Sequence, residues 1–159
     1  MVVGSPLGPL TLVASDGVLS GLYMVRQRYR PLEAEFGDVD SSPFGAVAEQ
    51  LDEFFGGERT QFDVELALSG TEFQRRVWRE LRRIPCGETV TYGGLARRLG
   101  DARLARAVGL ANGRNPVGII VPCHRLVGAD GSLTGYGGGV ERKRWLLDWE
   151  GRVAGRFLV

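Results

Sequence analysis

The feature that most restricts this chain is the apolar run "VGIIV", residues 117–121, which stops abruptly in Pro122-Cys123-His124-Arg125. The run has the composition of a strand buried on both faces, and Pro122, lacking a backbone N–H, ends it. A fold built around it must cover both faces and carry a thiol and the chain's only histidine to the edge of its core. Cys123 is thus expected where a strand enters a turn, fixed yet reachable. A thiol reacts as its thiolate, so it needs a base or positive surroundings. His124 is the only imidazole on offer, but neighbours on an extended chain point to opposite sides. Direct contact is therefore not expected, and a turn or a bridging water would have to join the two. These residues alone equally allow a buried structural cysteine beside a hydrogen-bonding histidine.

The segments before this run read as a mixed α/β (α+β) chain. "PLTLVAS" and "VLSGLYMV" alternate apolar with small or polar residues on either side of Asp16-Gly17, which predicts a hairpin. "RQRYRPLEAEFGDVDSSP" is polar and turn-rich, a surface connection. Phe44, Val47, Leu51, Phe54 and Phe55 share one helical face that Gly56-Gly57 closes, and "TQFDVELAL" alternates as a further strand. A domain boundary is placed at Ser69-Gly70, giving a structural unit over 1–69 and a mostly helical unit over 70–159. In the second unit Thr71 and Gln74 fit a capping box ahead of Val77, Trp78 and Leu81. Thr91 caps a short helix through Arg98, and Asp101 a second one bearing Leu104, Val108 and Leu110. Two short helices joined through Gly100 make a helix-turn-helix candidate.

The formal charge of +1 conceals a split. Residues 1–70 hold four Lys/Arg and eleven Asp/Glu (−7), and residues 71–159 hold sixteen and eight (+8). Fifteen of those sixteen cations are Arg, whose planar fork suits phosphate, so the second half is expected to meet a polyanion. The second helix of the pair, "ARAVGL", sets one arginine among Ala and Gly. A mid-helix glycine costs about 1 kcal/mol relative to alanine, so something should approach that backbone closely. Such a face has little with which to read base edges in a wide groove. With two distant cysteines there is no disulfide framework, and no secretory leader or spanning segment is expected.

"NPVGIIVPCHRL", then "GYGGG" and "LLDWEG", resembles the O6-alkylguanine–DNA alkyltransferase (methylated-DNA–protein-cysteine methyltransferase) family. The similarity runs through most of residues 70–151, and "SPLGPL" with residues 44–68 resembles the bacterial N-terminal domain, which is ribonuclease H-like. The resemblance implies direct-reversal DNA repair. An O6-alkylguanine, or an O4-alkylthymine, is flipped out of the duplex and its alkyl group passes irreversibly to Cys123. By the same resemblance His124 takes the thiol proton through water, Glu150 orients His124, Asn115 fixes the turn carrying the nucleophile, and Tyr92 meets the guanine ring. Arg106 enters the base stack while Ala105, Ala107 and Gly109 rest in the minor groove, with Arg125 counted on the same DNA surface. Tyr136 and Gly137, with the carbonyl of Leu126, would form the lesion pocket.

Gly137 stands where some members carry Ser, leaving room that suggests alkyl groups larger than methyl. Cys86 reads as a small packing residue. Residues 1–70 contain neither Cys nor His, so the structural zinc of some members is not expected, nor is any cofactor. The implied partner is double-stranded DNA, bound by a cytoplasmic monomer, with cooperative loading left open. A lesion-binding relative without catalysis would lack the cysteine of the PCHR motif, and a Cys-His-Glu hydrolase would not need the basic half.

Overall fold

The computed structural model describes residues 1–157. Three antiparallel strands, β1 (Val2–Val3), β2 (Leu10–Ser15) and β3 (Val18–Met24), form the first sheet in that order. The β2–β3 hairpin turns at Asp16-Gly17 with φ of 51° and 80°, the doubly left-handed turn whose twist matches that of paired strands. Its inner face sends Leu10, Leu12, Leu19, Leu22 and Met24 into the core. There they join Val47, Leu51 and Phe54 of helix α1 (Gly45–Phe55).

The second half is mostly helical. Thr71 and Gln74 close the expected capping box on α2 (Glu72–Leu81), which buries Val77, Trp78 and Leu81. After the short strand β4 (Val90–Thr91), Thr91 Oγ1 accepts from the Gly94 amide and starts α3 (Tyr92–Arg98). Asp101 caps a single 3-10 turn, Ala102–Leu104, and α4 (Ala105–Gly113) begins only after it. The Trp78 indole donates to the Ala111 carbonyl at 2.9 Å, fixing α4 on α2 inside the core. Leu110, which shares the helix's apolar content, is nevertheless 67% exposed. Strand β5 (Leu126–Val127) pairs parallel with β4. The last helix, α5 (Val140–Phe157), returns to the first half, where the Trp149 indole donates to Phe54 O at 3.1 Å and Trp145 lies against Phe55. No helix among the described residues is long and apolar enough to cross a membrane.

Two expected strands do not form. "TQFDVELAL" makes a single bridge, Leu66 to Leu19, although Phe62, Val64, Leu66 and Leu68 do pack on the core. Its alternation is real, but the partner is a side chain: the Gln50 amide both donates to Asp63 O and accepts from Asp63 N, each at 2.9 Å. "VGIIV" is buried throughout but folded into a tight turn, with one bridge from Val117 to Leu22 and Ile119 at φ 71°. A β-branched residue there is a genuine outlier, held by the contacts around it. Replacing Gln50 by Ala should lower stability by about 1 kcal/mol, since two partly solvated backbone groups lose their partner. Urea unfolding checks this, with an expected lower midpoint and an unchanged slope.

Candidate active site

Asn115 explains why the apolar run turns. Its side chain accepts from the Val117 amide at 3.0 Å and donates to Val121 O at 2.8 Å, spanning the whole turn with one amide. Leu22 N donates to Pro116 O at 2.9 Å, so the first sheet braces the same turn from outside. Residues 123–125 then form a 3-10 turn, in which adjacent side chains need not oppose one another. The Asn112 amide donates to Cys123 O at 3.2 Å, so α4 holds the thiol-bearing residue directly.

His124, Arg125 and Glu150 form one buried cluster. Glu150 is fully buried and sits well inside α5. His124 Nε2 lies 2.9 Å from Glu150 Oε1, so the imidazole leans directly on the carboxylate. Arg125 grips the same carboxylate with two bonds, Nε to Oε1 at 2.9 Å and Nη2 to Oε2 at 2.6 Å, and gives a third to Ile84 O. Burial alone would raise the Glu150 carboxyl, but the His124 charge and the Arg125 bonds outweigh it and hold it at about 2. The second imidazole nitrogen, Nδ1, is buried with no hydrogen-bond partner among the described residues.

Arg125 therefore does not lie on a DNA surface. Its guanidinium is buried, and both faces of its fork are engaged inside the protein. The PCHR arginine neutralises the carboxylate on which His124 also leans. The Leu126 side chain is fully buried as part of β5 opposite Val90, so only its backbone carbonyl is left to meet a lesion.

Cys123 sits with Asn115, Tyr136, Gly137 and Gly138 around a cavity of about 10 Å3, room for one water. Burial raises the thiol's pKa, while the Asn115 side chain, the charge of Lys143 and nearby backbone N–H groups pull it down. Cys86 stands apart from that cavity, its thiol 3.9 Å from Glu150 O and pushed up to about 11, chiefly by burial and then by the Glu150 charge. Tyr92 does not line the cavity. Its hydroxyl donates to Thr134 O at 3.0 Å, tying the start of α3 to the loop that carries Tyr136.

Sequence reasoning missed Lys143. The chain's single lysine looks like one more solvated cation in "ERKR", yet it is fully buried and donates to the same Thr134 carbonyl at 2.9 Å. Burial lowers it to about 8, against a smaller upward pull from Cys123. Its uniqueness was the available signal, because a lysine, unlike an arginine, responds to burial by shifting its proton affinity. Gln27 of the first half was also missed, and its side chain lines the Cys123 cavity.

The outer face of α4 presents Arg106 and Leu110 to solvent, with Ala105, Ala107 and Gly109 half-buried between them. A Cβ built on Gly109 would meet only the Tyr92 ring, at 3.8 Å, an ordinary contact. Nothing inside the chain requires a glycine there.

A helix pair on a basic half, beside a buried thiol and a His–Glu–Arg cluster, is the arrangement of a nucleic-acid-binding protein. Comparison with known proteins makes this specific. Residues 2–68 match the ribonuclease-like domain of 6-O-methylguanine DNA methyltransferase and residues 72–152 match its DNA-binding domain. The methylated-DNA–protein-cysteine methyltransferase of Mycobacterium tuberculosis is 53% identical over 148 residues, 93% of this chain and 89% of the relative. That of Salmonella typhimurium is 42% identical over 163 residues, covering 94% and 93%. A crystal structure of Mycobacterium tuberculosis OGT in complex with DNA superposes with a TM-score of 0.90 at 52% identity, over 96% of this chain and 92% of that one. The chain belongs to the methylated-DNA–protein-cysteine methyltransferase family. It is a DNA-binding, direct-reversal repair protein that works by alkyl transfer.

Because the Glu150 carboxyl is held at about 2, its contribution is whole above the unfolded carboxylate range near 4.5 and disappears as pH falls towards 2. Glu150→Gln should cost about 3 kcal/mol at neutral pH and flatten the stability curve between those limits. Urea midpoints of both proteins measured from pH 7 down to 3 check this.

Proposed function

We propose that Cys123 is the alkyl acceptor and that the flipped lesion reaches it through the opening between the Tyr136 loop and the end of α4. The thiol proton passes through a bridging water to Nδ1 of His124, and the imidazolium so formed is stabilised by Glu150 at 2.9 Å. Cys123 Sγ then attacks the alkyl carbon in line. The S–C bond forms as the C–O6 bond breaks, and the electron pair leaves on the guanine oxygen, where a ring protonation neutralises it. As the loop bearing Tyr136 opens, the Tyr92 hydroxyl exchanges the Thr134 carbonyl for the departing base and donates to it, and Lys143 supplies positive charge that favours the thiolate. The thioether product is not reversed by cellular reductants, so each molecule acts once, without a cofactor.

The observation that carries this reading is the buried relay from Glu150 through His124 to the turn bearing Cys123. It supports the reading because the chain's one histidine, next to Cys123 in sequence, leans on a buried carboxylate and leaves Nδ1 free to take a proton through water. O6-Alkylguanine is the expected substrate, with O4-alkylthymine handled by the same chemistry. The base must leave the stack to reach a thiol this deep, and unstacking costs a few kcal/mol. Arg106, exposed on α4, fills the gap as the base leaves, while the Ala/Gly face lies in the minor groove without reading sequence. The protein acts as a monomer in the cytoplasm, where thiols stay reduced.

Intact mass after incubation with duplex DNA bearing one O6-methylguanine tests this. A gain of one methylene, located on Cys123, absent from Cys123→Ala and ending after one equivalent, is expected. Tight lesion binding with no mass gain would contradict it.

The glycine on α4 offers an independent check. Gly109→Ala should raise thermal stability by up to about 1 kcal/mol through helix propensity, yet weaken binding to undamaged duplex. Calorimetry and a fluorescence anisotropy titration at fixed salt read the two effects. Unchanged DNA affinity would contradict contact by this face.

A further inference from the structure

The polar segment "RQRYR" after β3 has a place in the site that a surface connection would not have. Residues 25–30 fold into a strap, with Arg26 and Tyr29 both left-handed at φ 59° and 62°, an uncommon conformation for non-glycine residues. The strap is fastened to the alkyl-transfer half at three points. The Arg28 amide donates to Gly137 O at 2.8 Å, and Arg142 Nη1 donates to Val25 O at 2.6 Å. The Arg114 guanidinium lies over the Tyr29 ring at 3.6 Å, with that of Arg28 over the same ring at 4.8 Å. From within the strap, Gln27 Oε1 accepts from Met24 N at 2.8 Å, which fixes the side chain that lines the Cys123 cavity.

Gly137 gives the strap its meaning. A Cβ at Gly137 would meet Gln27 Cγ and Arg28 O at 3.7 Å, ordinary contacts, so the room which its sequence suggests ends at a wall supplied by the first half. In the glycine loop it is Gly138 that close approach demands, since a Cβ there would come within 2.8 Å of Met24 Sδ and the Tyr136 ring. A cavity of about 10 Å3 admits no purine, so the strap and the Tyr136 loop must part before a base can enter. What holds them together is one backbone hydrogen bond, one arginine–carbonyl bond and one stack that sets two guanidiniums on a single ring. Arg114 also continues the exposed stripe of α4 through Arg106 and Leu110, so the latch lies beside the surface proposed for DNA.

We propose that the strap is the outer jaw of the lesion pocket, with Gln27 as a specificity-determining wall and the Tyr29–Arg114 stack as its latch, and that it limits the size of the alkylated base accepted. The inference rests on Cys123 being the acceptor. The test compares second-order transfer rates for duplex O6-methylguanine and for free O6-benzylguanine in the parent, Gln27→Ala and Tyr29→Ala proteins. Tyr29 is 45% exposed, so its replacement spares the core. Each variant should raise the benzyl-to-methyl rate ratio roughly tenfold, the rate equivalent of losing one such contact. Ratios within twofold of the parent in both variants would overturn the inference while leaving alkyl transfer intact. Loss of the cooperative thermal transition in both would also overturn it, because the strap would then belong to the frame of the fold. A parent that gains no alkyl group from either substrate would instead refute Cys123 as acceptor.

Discussion

The structure depends on one buried carboxylate. Glu150 lies deep in the longest described helix and binds a histidine and an arginine that are adjacent in sequence, so a carboxylate, a guanidinium and an imidazole leave water together. Such burial is costly unless every group is satisfied, and removing any one partner strands the others. Here the Arg125 fork takes both carboxylate oxygens and its remaining arm reaches Ile84 O. The consequence is geometric. Once α5 and the 3-10 turn at 123–125 are locked through Glu150, the position of Cys123 is no longer adjustable. Asn115 sets the other side of that turn by bonding across it, and Asn112 holds the Cys123 carbonyl from α4. Cys123 is thus fixed by contacts from α4, from its own turn and, through its neighbours, from the C-terminal helix.

The surroundings of the thiol are arranged in tension. Burial keeps it protonated, whereas a nearby lysine, the Asn115 side chain and two backbone N–H groups favour the charged form only in part. That suits a protein which reacts once: a free thiolate would be spent on oxidants or stray electrophiles, but a poised thiol needs the relay to fire. Cys86 is likewise held protonated, chiefly by burial and then by the Glu150 charge.

How much of this was legible follows the range of the interactions. The caps at Thr71, Thr91 and Asp101 were readable because each bond closes within three residues. The hairpin at Asp16-Gly17 and the inward faces of α1 and α2 were readable because periodicity reports burial. "VGIIV" reported its burial but not its shape. An extended strand was overruled by Asn115 and by the pairing of Pro116 and Gly118 with Leu22, nearly a hundred residues away in sequence. Arg125 was misplaced for a similar reason, since an arginine in a basic half looks like a phosphate ligand until its buried acid is known. Lys143 and Gln27 were hidden among ordinary polar runs, and only the folded chain brings them to the thiol. The polar strap illustrates the general case: its sequence says solvent, whereas its few fastenings are all long-range.

The relay can be observed directly, because the chain's only histidine gives one set of imidazole signals. A two-dimensional nitrogen–proton NMR spectrum of the unreacted protein near neutral pH would show which ring nitrogen carries the proton. The account predicts protonation at Nε2, facing Glu150, with Nδ1 left as the basic nitrogen for the thiol proton, and loss of this preference in Glu150→Gln. A neutral ring protonated at Nδ1 in the parent protein would contradict it, because His124 could then neither lean on Glu150 nor serve Cys123 as a base.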